Sequence, residues 1–202
     1  ILLYSLTIGE EQGISNLKFT MENFKLFLDA KYIDILWISI SLALKSTIIT
    51  LLLGYPMAMI IAGEKVNRRN IMILLLVIPM WMNFLLRTYA WLTLLGKNGF
   101  INYIVTKLGF QPLNLIYNDS AVLLGMIYNF LPFMVLPIYS VLTKIDKGLI
   151  EAAEDLGADK LKVFLKVIFP LSIPGIITGI TMVFMPAVST FVISRLLGGG
   201  QY

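Results

Sequence analysis

The sequence predicts an all-α membrane protein, a bundle of apolar helices that crosses a lipid bilayer several times. Hydrophobic residues make up 58% of the 202 residues, and charged residues make up 14%. A soluble domain typically carries about 45–50% apolar and about 25% charged residues. The apolar residues also fall into long runs, and a helix of about 20 residues is enough to cross the hydrocarbon core. These observations indicate an integral membrane protein.

The apolar runs predict four full spans, at about 35–62, 71–95, 121–142 and 171–197. All four contain proline, which transporter helices tolerate because neighbouring helices satisfy the freed backbone groups. The chain starts in an apolar stub and stops just after a glycine run. We therefore expect residues 1–202 to be one transmembrane domain, and a fragment that lacks most of a first span and all of a last one.

The loops between these spans differ in charge, and the difference predicts their orientation. The segments 63–70 and 143–166 together contain eight Lys or Arg residues. The segments 1–34 and 96–120 contain five over a greater length. Short basic loops stay in the cytoplasm, so the first two segments are predicted to be cytoplasmic.

The polar segment 146–170 predicts two short helices joined at a glycine. Asp146 is suited to cap the first helix, and Gly157 is suited to the left-handed position that ends it. Asp159 is expected to cap the second helix. Pro170 is expected to end that helix, because proline lacks the backbone N–H that a helix interior needs. The plain alternative is a solvated helical hairpin without a further role.

Several classes of function lack the residues that they need. The chain has no cysteine and no histidine, which excludes disulfides and thiolate metal sites and removes the commonest general base. It has no Gly-x4-Gly-Lys-Ser/Thr phosphate loop, so another chain would have to hydrolyse any ATP. None of the four predicted spans contains Asp or Glu, although ion-coupled carriers commonly place carboxylates there. We expect a protein that is not an enzyme and holds no cofactor or metal.

The polar segment also resembles the signature of ABC importer permeases, which is Glu-Ala-Ala, three residues, Gly, nine residues, then Ile-x-Leu-Pro. The chain matches this signature at Glu151, Ala152, Ala153, Gly157 and Pro170, with Val167 and Phe169 in place of Ile and Leu. The resemblance implies the type I importer fold. It also implies that these five matching residues couple the protein to an ATPase, because in that family the cytoplasmic hairpin docks into a groove on the ATPase subunit.

Three further stretches, 84–91, 131–158 and 185–200, are similar to the B-type permeases of spermidine/putrescine importers. The resemblance implies a multi-pass protein of the bacterial cytoplasmic (inner) membrane that forms a path for polyamines. It implies as partners a second homologous permease, two ATPase subunits and an extracellular or periplasmic binding protein. It gives no role to a nucleic acid.

Aromatic and cationic residues in or near the spans are the candidates for the substrate path. They are Trp81, Arg87, Tyr89, Tyr128, Phe133, Phe191 and Arg195. Cation–π contacts with aromatic faces are worth about 0.5–2 kcal/mol. Alternatively, the aromatic residues face lipid or neighbouring helices, and Arg87 anchors its helix at the interface.

Two alternatives to polyamine import remain at this stage. The ionisable residues in the spans are all positive, which suits an anionic or neutral solute such as a phosphonate. From a different class, the chain would be a channel-forming or structural membrane subunit without an ATPase.

Overall fold

The structure is a computed structural model that describes residues 7–8, 18–19, 30–190, 193 and 197–198. The chain divides into two compact units, Ile1–Ser41 and Leu42–Tyr202. In the first unit, strands β1 (Thr7–Ile8) and β2 (Lys18–Phe19) pair antiparallel. This two-residue pairing was not predicted, since strands so short leave no alternating pattern to detect.

Helices form nearly all of the remaining described structure. They are α1 (Ala30–Gly63), α2 (Val66–Val77), α3 (Phe84–Leu95), α4 (Phe100–Lys107), α5 (Asp119–Leu142), α6 (Lys147–Asp155), α7 (Lys160–Val163) and α8 (Phe169–Ser189). Among the described residues, three stretches are long and apolar enough to cross a membrane: Ile33–Gly63, Asp119–Leu142 and Lys160–Ser189. A bent pair of helices makes a fourth if it is counted as one span. The predicted all-α, membrane-spanning class is confirmed.

The second predicted span, 71–95, is not one continuous helix. Helix α2 passes into a 3-10 turn, Ile78–Trp81, and the chain then bends by 94° before α3 continues. Pro79 has no N–H to continue the α-helical ladder. Asn83 then caps the new helix, because its side-chain oxygen accepts a hydrogen bond of 2.8 Å from the Leu85 amide. A proline followed four residues later by a capping asparagine therefore favours two helices over one.

The prediction that Pro170 ends the second hairpin helix is wrong. The helix runs from Lys160 to Ser189 without a break, and its turn Phe164–Ile168 is π-helical. A π turn shifts the hydrogen-bond register by one residue, so Pro170 follows at the start of α8 without interrupting the helix. The fourth predicted span, 171–197, is thus joined to the hairpin. Its helix α8 ends at Ser189, and most of 191–197 lies outside the described residues.

The core of the second unit is built around Met134 of α5, which is fully buried. A Cβ atom added to Gly54 of α1 would lie 3.0 Å from Met134 Cγ. A Cβ added to Gly179 of α8 would lie 2.7 Å from Met134 Sδ. The methionine side chain therefore fills the space that two glycines leave open, and three helices approach one another at this point.

Helices α5 and α8 also approach closely at Gly175, four residues before Gly179. A Cβ added at Gly175 would lie 3.0 Å from both the Ile138 Cα and the Pro137 carbonyl oxygen. The two glycines form a Gly-xxx-Gly pattern, which lets helix backbones pack closely in membranes. Because the neighbouring atoms belong to the backbone, they have little freedom to move aside for a larger side chain.

We expect Gly175→Leu to destabilise the protein by about 1–3 kcal/mol or more, since the added side chain overpacks a backbone contact. Gly63→Leu is the matched control, because a Cβ at Gly63 meets no atom within 4 Å. Thermal unfolding of the purified protein in detergent measures both effects. Equal midpoints for the two variants would contradict the close approach of α5 and α8.

Candidate functional site

The first helix of the hairpin, α6, begins and ends as its sequence predicts. Asp146 caps it, with Oδ1 accepting a 2.9 Å hydrogen bond from the Gly148 amide. At its other end Gly157 has a φ of +81°. The Gly157 amide donates to the Glu154 carbonyl at 2.9 Å, and the Ala158 amide donates to the Ala153 carbonyl at 3.1 Å. This pair of bonds is the Schellman arrangement, which satisfies carbonyl groups that the helix end would leave free.

The second helix, α7, begins at Lys160, three residues after Gly157. Asp159 caps it, because its Oδ1 accepts a 2.8 Å hydrogen bond from the Lys162 amide. Both capping predictions are confirmed. The two caps and the left-handed glycine define the turn of the hairpin through hydrogen bonds between residues close in sequence.

The signature residues lie on the surface of the hairpin. Glu151, Ala152 and Gly157 are exposed, and Ala153 is half-buried. No ion pair involves Glu151 in the part of the chain that the structure describes. A Cβ added at Gly157 would meet no atom of the described residues within 4 Å. These residues therefore impose no steric requirement for glycine at this position beyond its backbone conformation.

Apolar side chains are also exposed around the tip. Leu156, next to Gly157, has 89% of its surface exposed, and Leu149 and Leu161 are exposed as well. The described residues thus leave the leucine side chains at both ends of α6 largely uncovered. Hydrophobic residues beside an unpaired carboxylate form a surface suited to binding a partner protein.

The base of the hairpin is joined to helix α1 by Tyr55. Its hydroxyl lies 2.9 Å from Ser172 Oγ in α8, and Ser172 Oγ donates in turn to the Phe169 carbonyl at 2.8 Å. Tyr55 therefore acts as the donor. Its ring also lies 6.0 Å from the rings of Phe164 and Phe169. These contacts connect the π-helical turn to the first span.

Five of the seven candidate path residues lie in the described part of the chain, and four of these five are exposed. Trp81 lies at the bend between α2 and α3 and is 80% exposed. Tyr89, Tyr128 and Phe133 are also exposed; Tyr128 packs edge-on against Trp91, with ring centroids 5.4 Å apart. Arg87 is half-buried, and its Nε has no hydrogen-bond partner among the described residues. Phe191 and Arg195 lie outside the described residues.

Sequence reasoning missed Tyr55, Ser172 and Asn129. Asn129 is a buried residue of α5 whose Nδ2 donates to the Gly125 carbonyl at 2.7 Å, whereas its Oδ1 has no partner among the described residues. Each of the three is a polar residue in a long apolar run. Inside a membrane such groups usually form hydrogen bonds with other parts of the protein. That signal was present, but the partner of Tyr55 lies 117 residues away.

Several membrane-length helices joined through an exposed, capped hairpin define a multi-pass membrane protein. A family model described as "Binding-protein-dependent transport system inner membrane component" matches residues 43–201, and the chain belongs to this family. The resemblance to ABC importer permeases is confirmed, and so are the type I permease fold and the inner-membrane location.

Individual relatives extend the similarity over nearly the whole chain. This chain is 39% identical to the spermidine/putrescine transport system permease protein PotB of Escherichia coli, and the match covers 98% of this chain and 72% of the relative. It is 39% identical to the protein of the same name in Haemophilus influenzae, over 90% and 64% respectively. The inner membrane ABC transporter permease protein YdcU of Escherichia coli is 29% identical, over 98% and 66%. All three are named as permease subunits, in agreement with a protein that is not an enzyme.

We expect Tyr55→Phe and Ser172→Ala to have unequal effects on stability. Tyr55→Phe removes one hydrogen bond, worth about 0.5–1.5 kcal/mol, and leaves Ser172 bonded to Phe169. Ser172→Ala leaves the Tyr55 hydroxyl without its acceptor, which costs about 1–3 kcal/mol when the group is buried. The double variant should therefore be less destabilised than the sum of the two single variants. Additive losses in thermal unfolding would show that the two hydroxyls do not interact.

Proposed function

We propose that this chain is the permease subunit of an ABC importer for polyamines, and that a separate ATPase subunit powers it. The observation that carries the proposal is the 39% identity to a spermidine/putrescine permease over 98% of the chain. The hairpin adds support, since Glu151, Ala152 and Gly157 of its signature lie exposed and Ala153 is half-buried. In this proposal residues 1–202 form one permease domain, and the hairpin 146–170 faces the cytoplasm.

The coupling role rests on the geometry of the hairpin. Glu151 offers a charged hydrogen-bond acceptor, Ala152 and Ala153 allow a close backbone approach, and Gly157 leaves open space beside the tip. A groove on the ATPase would cover these residues together with Leu156. Pro170 has a different part in the proposal: it marks the junction at which the hairpin continues into α8, so that motion of the tip reaches a membrane span.

For the substrate path, the exposed aromatic residues would lie at an interface with a second, homologous permease. Trp81, Tyr89, Tyr128 and Phe133 all have outward-facing surface in this chain, as a path shared between two subunits requires. Phe191 and Arg195 remain candidates from the sequence alone. A binding protein would deliver the solute to the outer end, and closure of the ATPases would switch the accessible side by rigid-body motion.

The charge of the candidate path does not by itself identify the solute. Arg87 is positive and only half-buried, which would suit an anion such as a phosphonate. Polyamine amines would instead contact aromatic faces, and acidic groups would come from the second permease. The similarity to named polyamine permeases favours polyamines, and uptake measurements test that choice.

We expect Gly157→Asp and Glu151→Lys to yield protein that inserts into the membrane but does not retain its ATPase. A non-glycine residue in the left-handed position costs roughly 1–2 kcal/mol, which is too little to unfold the spans. The readouts are co-purification of the ATPase subunit and ATP hydrolysis stimulated by the binding protein. If a variant loses transport while both values stay normal, the coupling role is refuted. If no ATPase co-purifies even with the wild-type protein, the channel alternative is supported.

Two control variants sharpen this experiment. Gly157→Asn keeps a residue that tolerates the left-handed conformation, so its loss of ATPase would result from the added side chain rather than from the backbone. Glu154→Lys makes the same charge change on the same exposed helix. If it acts as Glu151→Lys does, the net charge of the hairpin matters rather than Glu151.

We expect cells that lack other polyamine importers to take up labelled spermidine or putrescine when the full-length protein and its partners are present. Trp81→Phe should keep part of the uptake, whereas Trp81→Leu should reduce apparent affinity by about 2- to 30-fold, the equivalent of one cation–π contact. Equal uptake by both variants would remove Trp81 from the path. Uptake of a phosphonate without polyamine uptake would favour the anionic alternative.

A further inference from the structure

An apolar cavity of about 330 Å³, open to the surface, lies between α1 and α2, near the turn that joins them. Its volume falls within the roughly 300–1,000 Å³ of small-molecule sites. Its lining consists of aliphatic and methionine side chains: Met57, Ile60, Ile61, Met72, Leu75 and Leu76. A cavity with so few polar partners is unsuited to water. It is suited to a hydrocarbon chain.

The turn at the end of this cavity is positively charged. Between Gly63 and Asn70 the chain has three cations, Lys65, Arg68 and Arg69, and one carboxylate, Glu64. Arg68 is held by Glu64 through a long ion pair of 3.9 Å. Arg69 is three residues before Met72 and therefore lies on the cavity face of α2, one turn closer to the loop. Its Nε is buried and has no hydrogen-bond partner in the described part of the chain.

We propose that this cavity binds one acyl chain of an anionic phospholipid, whose phosphate contacts Arg69 and Lys65. The two halves of the site match the two halves of such a lipid: hydrocarbon inside the span, and cations at the membrane surface. A free anion would make no favourable contact with the apolar lining, and an apolar peptide would make none with the cations. Basic residues between helices at the membrane surface are a known means of binding acidic headgroups. The proposal depends on the membrane location and not on the transported solute.

The test uses the full-length protein with its partners, purified in detergent and incubated with either dioleoylphosphatidylglycerol or dioleoylphosphatidylcholine. Retained lipid is measured by native mass spectrometry after buffer exchange. We expect the wild type to retain phosphatidylglycerol in preference to phosphatidylcholine. Arg69→Gln should weaken the retention of phosphatidylglycerol by about fivefold, which is the effect of one charge near an acidic headgroup. Arg69→Lys should restore most of the binding.

Three comparisons make the result decisive. Lys97→Gln removes an exposed charge in a different loop and should leave retention unchanged. Leu75→Trp fills the cavity and should lower retention without removing a charge. Millimolar inorganic phosphate should not displace the lipid, because it cannot replace the acyl chain.

Other outcomes would overturn the proposal. Equal retention by the wild type and Arg69→Gln, or equal retention of the two lipids, would show that the cations do not recognise a headgroup. Displacement by inorganic phosphate would indicate a site for the free anion. Crosslinking from a cysteine at Leu75 to the partner permease, or to a chain segment outside 1–202, with no lipid retained, would show that protein fills the cavity.

Discussion

The close approach of three helices at Met134 is the contact on which the rest of the second unit depends. In a bilayer the hydrophobic effect does not drive helices together, because lipid tails are as apolar as the helix surfaces. Helices therefore associate through close packing and hydrogen bonds. Gly54 and Gly179 supply the space, and Met134 fills it from the third helix. The next residue after Gly54 is Tyr55, which reaches Ser172 in α8. The packing at the glycines therefore sets the distance across which this hydrogen bond forms, and through it the position of the hairpin base.

Proline has two opposite effects in this chain, and the surrounding residues decide which one prevails. Pro79 precedes a residue with an extended backbone and a capping asparagine, and the helix direction changes by 94°. Pro170 follows a π-helical turn, and the helix continues through it to Ser189. The first arrangement separates two helices, whereas the second joins the hairpin to a span as one stiff element. Under the proposed function, this joint lets a displacement of the tip move α8.

The parts of the structure that depend on neighbouring residues were predictable, and those that depend on distant ones were not. Asp146, Gly157 and Asp159 occupy the predicted cap positions because each makes its hydrogen bonds within a few residues. The end expected at Pro170 is an exception, because it was wrong although its cause is local: the preceding turn is π-helical, and its register shift accommodates the proline. The contact between Tyr55 and Ser172 requires the folded bundle, so no local pattern contains it. The roles of the exposed aromatic residues depend on partner chains and stay predictions.

The base of the hairpin and the bend between α2 and α3 are built differently, and this difference bears on how coupling to an ATPase would work. The hairpin is held at its base by a continuous helix and by the Tyr55 contacts, so α1 and α8 should follow its motion together. Helices α2 and α3 meet at a bend of two residues, Met82–Asn83, with Trp81 directly before it. A bend of this kind absorbs changes in angle by backbone rotation at a few residues. The candidate path residue Trp81 therefore lies beside a bend at which the angle between two helices can change, whereas Glu151 and Gly157 lie, under the proposed function, where motion would be transmitted.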